Sequence, residues 1–309
     1  MKRSAILLLV IATASVLACS NPAQAEIDRG RELLAADKVQ EAFVAYDAAV
    51  RLDPENAAAL AGRGCSRSMA ESDLGMADLD KAVELDPQNY DAHRCRAESH
   101  RQMGDLEAAL TDATKAVELD PTRPFAHVTL GNVLDELGRS EEAISSYDKA
   151  IELDPALANA YNQRSIARSR IQDDEGAAAD VDKAIELDPS YGPAYAVRAN
   201  TKLFEGDCAG ALADAERAIE LAPEFPSGYG VRALCRADAG ELDGALSDAE
   251  VAIELGRVDA WAFFTRGSIY LERGEVANGR ADLQKALALA PTPEFVDLVR
   301  SLLAEHGLD

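Results

Sequence analysis

The phrase KAVELDP fills Lys81–Pro87 and returns unchanged at Lys115–Pro121, 34 residues later. Variants keep the same place: KAIELDP at Lys149–Pro155 and Lys183–Pro189, RAIELAP at Arg217–Pro223, VAIELGR at Val251–Arg257, KALALAP at Lys285–Pro291 and, upstream, AAVRLDP at Ala48–Pro54. Of the seven intervals between these eight copies, six are 34 residues and the first is 33. A fixed period of this size sets aside ordinary globular folds, because a chain that repeats its spelling repeats its interfaces. One unit cannot bury its apolar stripe alone, whereas stacked neighbours can.

The stretch Pro124–Pro155 shows what one unit does. His127, Leu130, Gly131, Leu134 and Leu137 fall at helical spacing, Gly138 interrupts, and Ala143, Tyr147, Ala150 and Ile151 resume the spacing. This predicts two helices of about a dozen residues with a turn near Gly138. Glycine there can take the left-handed conformation that ends a helix. Asp154-Pro155 ends the second helix, since a residue before proline avoids the α region. After Pro291, Thr292 and Pro293 suit a helix start, and Phe295, Val299, Leu302 and Leu303 make one apolar stripe. That stripe predicts a terminal helix covering the last exposed face.

This pattern resembles the tetratricopeptide repeat family. The resemblance rests on a Gly/Ala place (Gly30, Gly64, Ala97, Gly131, Ala199, Ala233, Gly267), an Ala place (Ala42, Ala109, Ala143, Ala177, Ala211, Ala245), a second Ala place (Ala49, Ala82, Ala116, Ala150, Ala184, Ala218, Ala252, Ala286) and the terminal proline. Departures are local: Gly75 and Gly279 replace Ala, Ser165 replaces Gly, Arg257 replaces the seventh proline, and the second repeat lacks one residue near Ala70–Glu71. The resemblance implies an all-α, right-handed superhelical solenoid of eight helix-turn-helix repeats plus a C-terminal capping helix. It also implies that the first helices line a concave groove that holds protein segments. The expected frame is a signal peptide over 1–25, repeats over about 26–56, 57–89, 90–123, 124–157, 158–191, 192–225, 226–259 and 260–291, and a capping helix over 292–309.

Arg96, Arg164, Arg198, Arg232 and Arg266 share one place in the first helix, and each has an aspartate sixteen residues on: Asp112, Asp180, Asp214, Asp248 and Asp282. Arg63 and Asp78 are fifteen apart, as the missing residue requires, while the fourth repeat has Leu130 and Ser146 instead and the first only Arg29, opposite Ala45. Antiparallel helices bring these places together. A planar guanidinium fits a two-oxygen carboxylate, so the pairs read as a clasp between helices rather than a ladder for ligand.

A net charge of −24 repels nucleic-acid phosphates and anionic lipid headgroups. No nucleophile motif, phosphate-cradling loop or zinc signature is spelled. His93 and His127 stand where other repeats have Tyr161, Tyr195, Tyr229 and Phe263. They therefore read as packing substitutes, although His100 and Cys95 lie near His93 in sequence. The expectation is a chain without catalysis, cofactor, metal, nucleic acid or small-molecule substrate, whose partners are proteins or peptides.

The N-terminus is different in kind. Lys2 and Arg3 precede an uncharged apolar core, Ile6 to Leu17, then Pro22 and the small-x-small site Ala23-Gln24-Ala25. This reads as a signal peptide cleaved after Ala25, with the mature chain periplasmic or secreted. Val16-Leu17-Ala18-Cys19 also resembles a bacterial lipobox, in which Cys19 would carry lipid and anchor the chain to a membrane.

In an exported chain Cys65, Cys95, Cys208 and Cys235 are disulfide candidates, paired as 65–95 and 208–235 because each pair lies on neighbouring helices. Groove places carry Arg94, Glu98, Arg101, Asn132 and Asp135 in the third and fourth repeats. They carry Leu203, Phe204, Leu234, Trp261, Phe264 and Leu271 in the sixth to eighth. An apolar patch on an acidic protein marks an interaction site, so the partner is expected in the C-terminal half. The family's Lys-Asn-Arg clamp for a C-terminal carboxylate is not expected: Asn132 and Asn200 hold its Asn place, but Val128 and Ala196 stand where a lysine belongs.

Overall fold

The computed structural model describes residues 21–36, 38–69, 74–256, 260–289 and 293–308. The chain divides into two compact units, Met1–Pro155 and Ala156–Asp309. Among the described residues the first unit holds α1 (Pro22–Ala35), α2 (Val39–Leu52), α3 (Ala57–Ser68), α4 (Met76–Leu85), α5 (Tyr90–Gln102), α6 (Leu106–Leu119), α7 (Pro124–Glu136) and α8 (Ser140–Leu153). The second holds α9 (Ala158–Arg170), α10 (Asp174–Leu187), α11 (Gly192–Phe204), α12 (Cys208–Leu221), α13 (Pro226–Asp238), α14 (Leu242–Leu255), α15 (Ala260–Glu272), α16 (Val276–Ala288) and α17 (Pro293–Glu305). No strand occurs among the described residues. Within each unit every odd-numbered helix up to α15 packs on the even-numbered helix after it, each pair packs on the next, and α17 closes the second unit against α16. Odd-numbered helices also lie side by side, and α3 and α5 approach most closely.

Small residues set these distances. Ala42, Ala49, Ala82, Ala109, Ala116, Ala143 and Ala150 are buried to the last atom in the first unit. The two departures to glycine mark tighter crossings: a Cβ on Gly75 would strike the Gly64 carbonyl, and one on Gly279 would meet the Gly267 carbonyl at 2.9 Å. In the second unit Phe295, Val299 and Leu303 of α17 are buried against Leu271, Leu283 and Ala286. Thr292, Arg257 and the missing residue near Ala70–Glu71 lie outside the described residues.

The turn inside each of the third to eighth pairs takes φ > 0. Gly104, Gly138, Gly206, Gly240 and Gly274 supply it, with φ between 74° and 82°. In the fifth repeat Gln172 stands at the same place with φ 64°. An L side chain there costs about 1–2 kcal/mol, so Gln172→Gly should raise the unfolding free energy by up to that order and move the urea midpoint upward. An unchanged midpoint would show that the turn relaxes around glutamine.

The clasp is made wherever both partners are spelled. Arg63 Nε and Nη2 each donate to Asp78 at 2.7 Å. Arg96 holds Asp112 at 2.7 and 2.9 Å, and Arg164 holds Asp180 at 2.8 and 2.6 Å. Arg198 holds Asp214 at 2.8 Å twice, Arg232 holds Asp248 at 2.8 and 2.7 Å, and Arg266 holds Asp282 at 2.6 and 3.0 Å. All six aspartates are buried. A second bond runs backward from Nη1: Arg63 to Asp47 at 3.0 Å, Arg96 to Asp80 at 2.9 Å and Arg198 to Asp182 at 2.8 Å. One residue thus joins its own pair and the second helix of the pair before. A further cation one turn on often shares the carboxylate, as Lys202 does with Asp214 at 2.7 Å and Arg236 with Asp248 at 2.6 Å.

Burial pushes the Asp112 carboxyl up, but hydrogen bonds from His93 and Arg96 outweigh it and hold the group below the usual carboxylate range. Asp214 is held low in the same way by Arg198 and Lys202. A carboxyl depressed by folding contributes stability that is present above the unfolded value of about 3.9 and is lost as pH falls through the lower folded value. Helical circular dichroism should therefore stay level on acidification to about pH 4.5 and collapse only below the ordinary carboxylate range. A transition centred near pH 6 would contradict it. Removing one partner strands a buried charge, so Arg198→Ala should lose about 3 kcal/mol. Arg198→Lys, which cannot grip two oxygens, should lose less but measurably. Wild-type melting of both variants would show that the pair does not hold the helices together.

Candidate functional site

In the first unit the odd-numbered helices leave a pocket of about 540 Å³, lined by Arg31, Leu34, Tyr46, Ala58, Gly62, Cys65, Asp91, Arg94 and Arg123. Its floor exists because α3 presents small residues. Ala58, Gly62 and Cys65 follow one another along that helix, and the Tyr46 ring of α2 fills the space above Gly30 and Gly62, where any Cβ would collide with it. Burial pushes the Tyr46 hydroxyl up to about 12, with Arg31 pulling the other way, so it stands protonated as a donor.

The pocket's two sides are fastened together. Cys65 of α3 and Cys95 of α5 are joined by a disulfide with their α-carbons 5.3 Å apart. Beside it, Arg94 Nη2 donates to Cys95 Sγ at 3.2 Å, and Arg94 makes no ion pair among the described residues. Arg123 stands at the N-cap of α7, the place where Asn56 and Asn89 cap α3 and α5 with their side chains. Freed from capping, it lies over the Tyr90 ring at 4.4 Å and reaches Asp91 at 3.6 Å and Asp120 at 3.1 Å.

The other anticipated polar residues are bound into the fold. Arg101 pairs with Glu98 at 2.6 Å and also with Glu136 of α7, and Gln102 donates to Glu98 at 2.9 Å. Asn132 accepts the Tyr147 hydroxyl at 2.9 Å, and Asp135 is buried and accepts from Ser140 at 3.0 Å. His93 lies 2.8 Å from Asp112 and 3.2 Å from the Pro87 carbonyl, and His127 lies 2.9 Å from the Pro121 carbonyl. His93 thus joins its own repeat to the end of the one before, and His127 likewise meets the end of the repeat before it. Among the described residues no group of three or more His, Cys, Asp and Glu could hold a metal ion.

The apolar residues expected to form one patch in the second unit are divided by the structure. Leu271 is buried. Trp261 and Phe264 meet Phe295 of α17 edge-on, with ring centroids 4.7 and 5.8 Å away. Leu203 packs partly buried against Ala199, Ala211, Ala215, Val231 and Cys235, and Leu234 is half-buried. Phe204 is exposed at 73%, and Trp261 keeps 42% of its surface exposed beside its ring contacts. The patch is therefore not continuous: Leu271 and part of Trp261 and Phe264 pack against α17, and Leu203 packs within its own cluster.

The anticipated bridge between Cys208 and Cys235 is not formed: both are free thiols. Cys208 Sγ donates toward Asp238 Oδ2 at 3.6 Å, while burial and the adjoining Cys208 thiol push the Cys235 thiol up to about 12. The sequence reading passed over Arg31, Tyr46 and Arg123. A comparison of equivalent places would have found them: Arg31 stands where the fourth repeat has Asn132, and Arg123 where two other repeats have a capping asparagine.

Family profiles match over most of the array. A TPR repeat profile covers residues 131–168, and tetratricopeptide repeat profiles cover 90–123, 197–260 and 262–293. The chain belongs to the tetratricopeptide repeat family. No curated protein matches it in sequence. Among solved structures it is similar to the Cut9-Hcn1 hetero-tetramer of the APC/C, with a TM-score of 0.71 and 16% identity over 89% of this chain and 55% of that one. It thus spans little more than half of that relative. It is also similar to yeast Tom70 (TM-score 0.57, 19% identity, 93% and 64% of the two chains) and to a tetratricopeptide repeat protein from Parabacteroides merdae (TM-score 0.55, 19% identity, 92% and 100%). At these identities the likeness is one of fold.

The disulfide closes a loop with a sequence separation of 30. The double variant Cys65→Ser/Cys95→Ser should lose about 3 kcal/mol in urea unfolding. Equal stability of the variant and the oxidised wild type would show that α3 and α5 need no fastening.

Proposed function

We propose that this chain is an exported, non-catalytic scaffold that holds protein segments against the face of its odd-numbered helices. The observation that carries the reading is the pocket between α1, α3 and α5: it is preformed, so little ordering is required of the scaffold when a partner arrives. The array supports it further, because the clasp aspartates Asp112, Asp214 and Asp248 are engaged by arginine in holding the helices together. The test is capture from an envelope extract by the full chain. Specific retention by wild type, and its loss when Ala58→Trp fills the pocket floor with melting unchanged, supports the reading. Equal retention by both places the partner elsewhere.

A second reading, lipid anchoring at Cys19, is favoured by one observation. α1 starts at Pro22, Asn21 Oδ1 accepts the Ala23 amide at 3.1 Å, and Ala23 is buried at 1%. Cleavage after Ala25 would remove that cap and the first turn, and loss of a cap costs about 1 kcal/mol. Processing at Cys19, which lies outside the described residues, would leave α1 whole. Among the described residues no helix is long and apolar enough to cross a membrane, so an anchor of this kind would be the membrane's hold on the array. Intact-mass measurement of the protein from its native envelope decides: a diacylglyceryl cysteine supports anchoring, and a free Glu26 supports release.

A further inference from the structure

We infer that Cys208 and Cys235 form a thiol–disulfide exchange site, and that its substrate is a disulfide carried on a peptide segment beside an apolar side chain. The inference goes beyond the scaffold reading and leaves the chain non-catalytic, because each chain reacts once and ends with its own two thiols joined. Its first support is the contrast between the two cysteine pairs. Cys65 and Cys95 are bridged, and both are buried at 6%. Cys208 and Cys235 are free thiols, and only Cys235 is buried. Cys208 opens α12, half-buried beside the turn, and packs against the cluster of Ala199, Ala211, Ala215 and Val231 in which Cys235 of α13 sits. One thiol is thus within reach of solvent and the other lies behind it. Exchange uses that arrangement: a substrate meets the attacking sulfur and is kept from the resolving one.

The second support is the hydrogen bonding. Cys208 Sγ donates toward Asp238 Oδ2 at 3.6 Å, and Asp238 is exposed. The proton on Cys208 therefore has an acceptor from which water removes it. Burial, with the adjoining Cys208 thiol, pushes the Cys235 thiol up to about 12, so Cys235 stays protonated and the first attack falls to Cys208. That attack joins Cys208 Sγ to one substrate sulfur and breaks the substrate S–S bond. The second substrate sulfur leaves with the electron pair and takes up a proton, matching the one that left through Asp238. Cys235 Sγ then attacks Cys208 Sγ, and the first substrate sulfur leaves with the proton that Cys235 gives up. The substrate disulfide is reduced to two thiols, and Cys208 and Cys235 are oxidised to a bridge by the same electron pair.

Phe204 narrows the substrate. It ends α11, across the turn 205–207 from Cys208, and is 73% exposed. Other repeats have Glu136, Arg170, Asp238 and Glu272 at that place. An apolar ring in a polar register, next to the exposed thiol, offers a rest for an apolar side chain of the substrate. Charge points the same way. Asp207 and Asp238 act on the thiol pair, and a chain of net charge −24 repels a small anionic disulfide such as glutathione disulfide. Outside the cytoplasm, disulfides on polypeptide segments are common.

The experiment incubates the full chain, its Cys65–Cys95 bridge intact, with excess probe under argon and reads intact mass after blocking with N-ethylmaleimide. The probes are a disulfide-cyclised peptide with Leu beside each cysteine and Gly-Ser ends, and, separately, glutathione disulfide. With the peptide, wild type should lose both free thiols, gain a Cys208–Cys235 link on peptide mapping and release one reduced peptide per chain. Cys235→Ala should stop at a mixed disulfide on Cys208, and Cys208→Ala should react about tenfold more slowly or worse. Phe204→Ser should slow the peptide reaction severalfold and leave the glutathione reaction as it was. Melting is measured for each variant. If Cys235→Ala melts early, acid quenching of the wild-type reaction gives the same reading, since the transient adduct must sit on Cys208. Two thiols still alkylated in wild type after prolonged incubation, an adduct on Cys235, or a wild-type rate in Cys208→Ala would each overturn the inference. Glutathione disulfide reacting as fast as the peptide, or a wild-type peptide rate in Phe204→Ser, would overturn the peptide substrate. Partner capture from the envelope extract is scored separately, so a chain that captures a partner but leaves the probes oxidised fails here while the scaffold reading stands.

Discussion

A buried carboxylate gripped by a planar guanidinium is the contact on which each pair of helices turns. Burying Asp78, Asp112, Asp180, Asp214, Asp248 and Asp282 would be prohibitive if they were unpaired. Two parallel N–H···O bonds fix both the distance and the rotation of one helix against the other. The alanine layer beneath supplies closeness without direction, since methyl groups tolerate sliding. The clasp supplies the register. Apolar burial and charge pairing thus divide the work: the first holds the helices near, the second fixes where along their length they meet.

The frame was legible in the sequence because it is periodic. Alanine and glycine at helix crossings, the arginine sixteen residues before its aspartate, and proline after the second helix are each written several times, so accident averages out. Gly75 and Gly279 read as blemishes, yet each sits where two helices touch backbone to backbone. The candidate site was less legible because it departs from the period. It depends on side chains that are missing from α3 and on an arginine standing where another repeat has an asparagine. Such a site shows only when two repeats are compared and it is known that a tyrosine from the second helix reaches between two first helices.

The second unit gives the opposite lesson. Trp261 and Phe264 were placed on the inward face by helical phase, and phase alone cannot tell an open surface from one roofed by a later element. The ring contacts with Phe295 decide that question, and they come from α17, outside the repeat frame. Cys208 and Cys235 are similar: proximity was readable from neighbouring helices, but the direction in which Cys208 points, toward Asp238, was not.

The clasp also has a polarity. Arg63, Arg96 and Arg198 each send a bond to an aspartate of the pair before them, Asp47, Asp80 and Asp182, and that aspartate stands at the solvent-facing edge of a helix already made. Acceptor precedes donor along the chain. A polypeptide emerging from its N-terminus therefore completes each of these three acceptors before the arginine that needs it appears, and those pairs find a docking surface waiting. Growth of the array is vectorial in the manner of a rack engaging one tooth at a time, with the order of engagement written into the direction of synthesis.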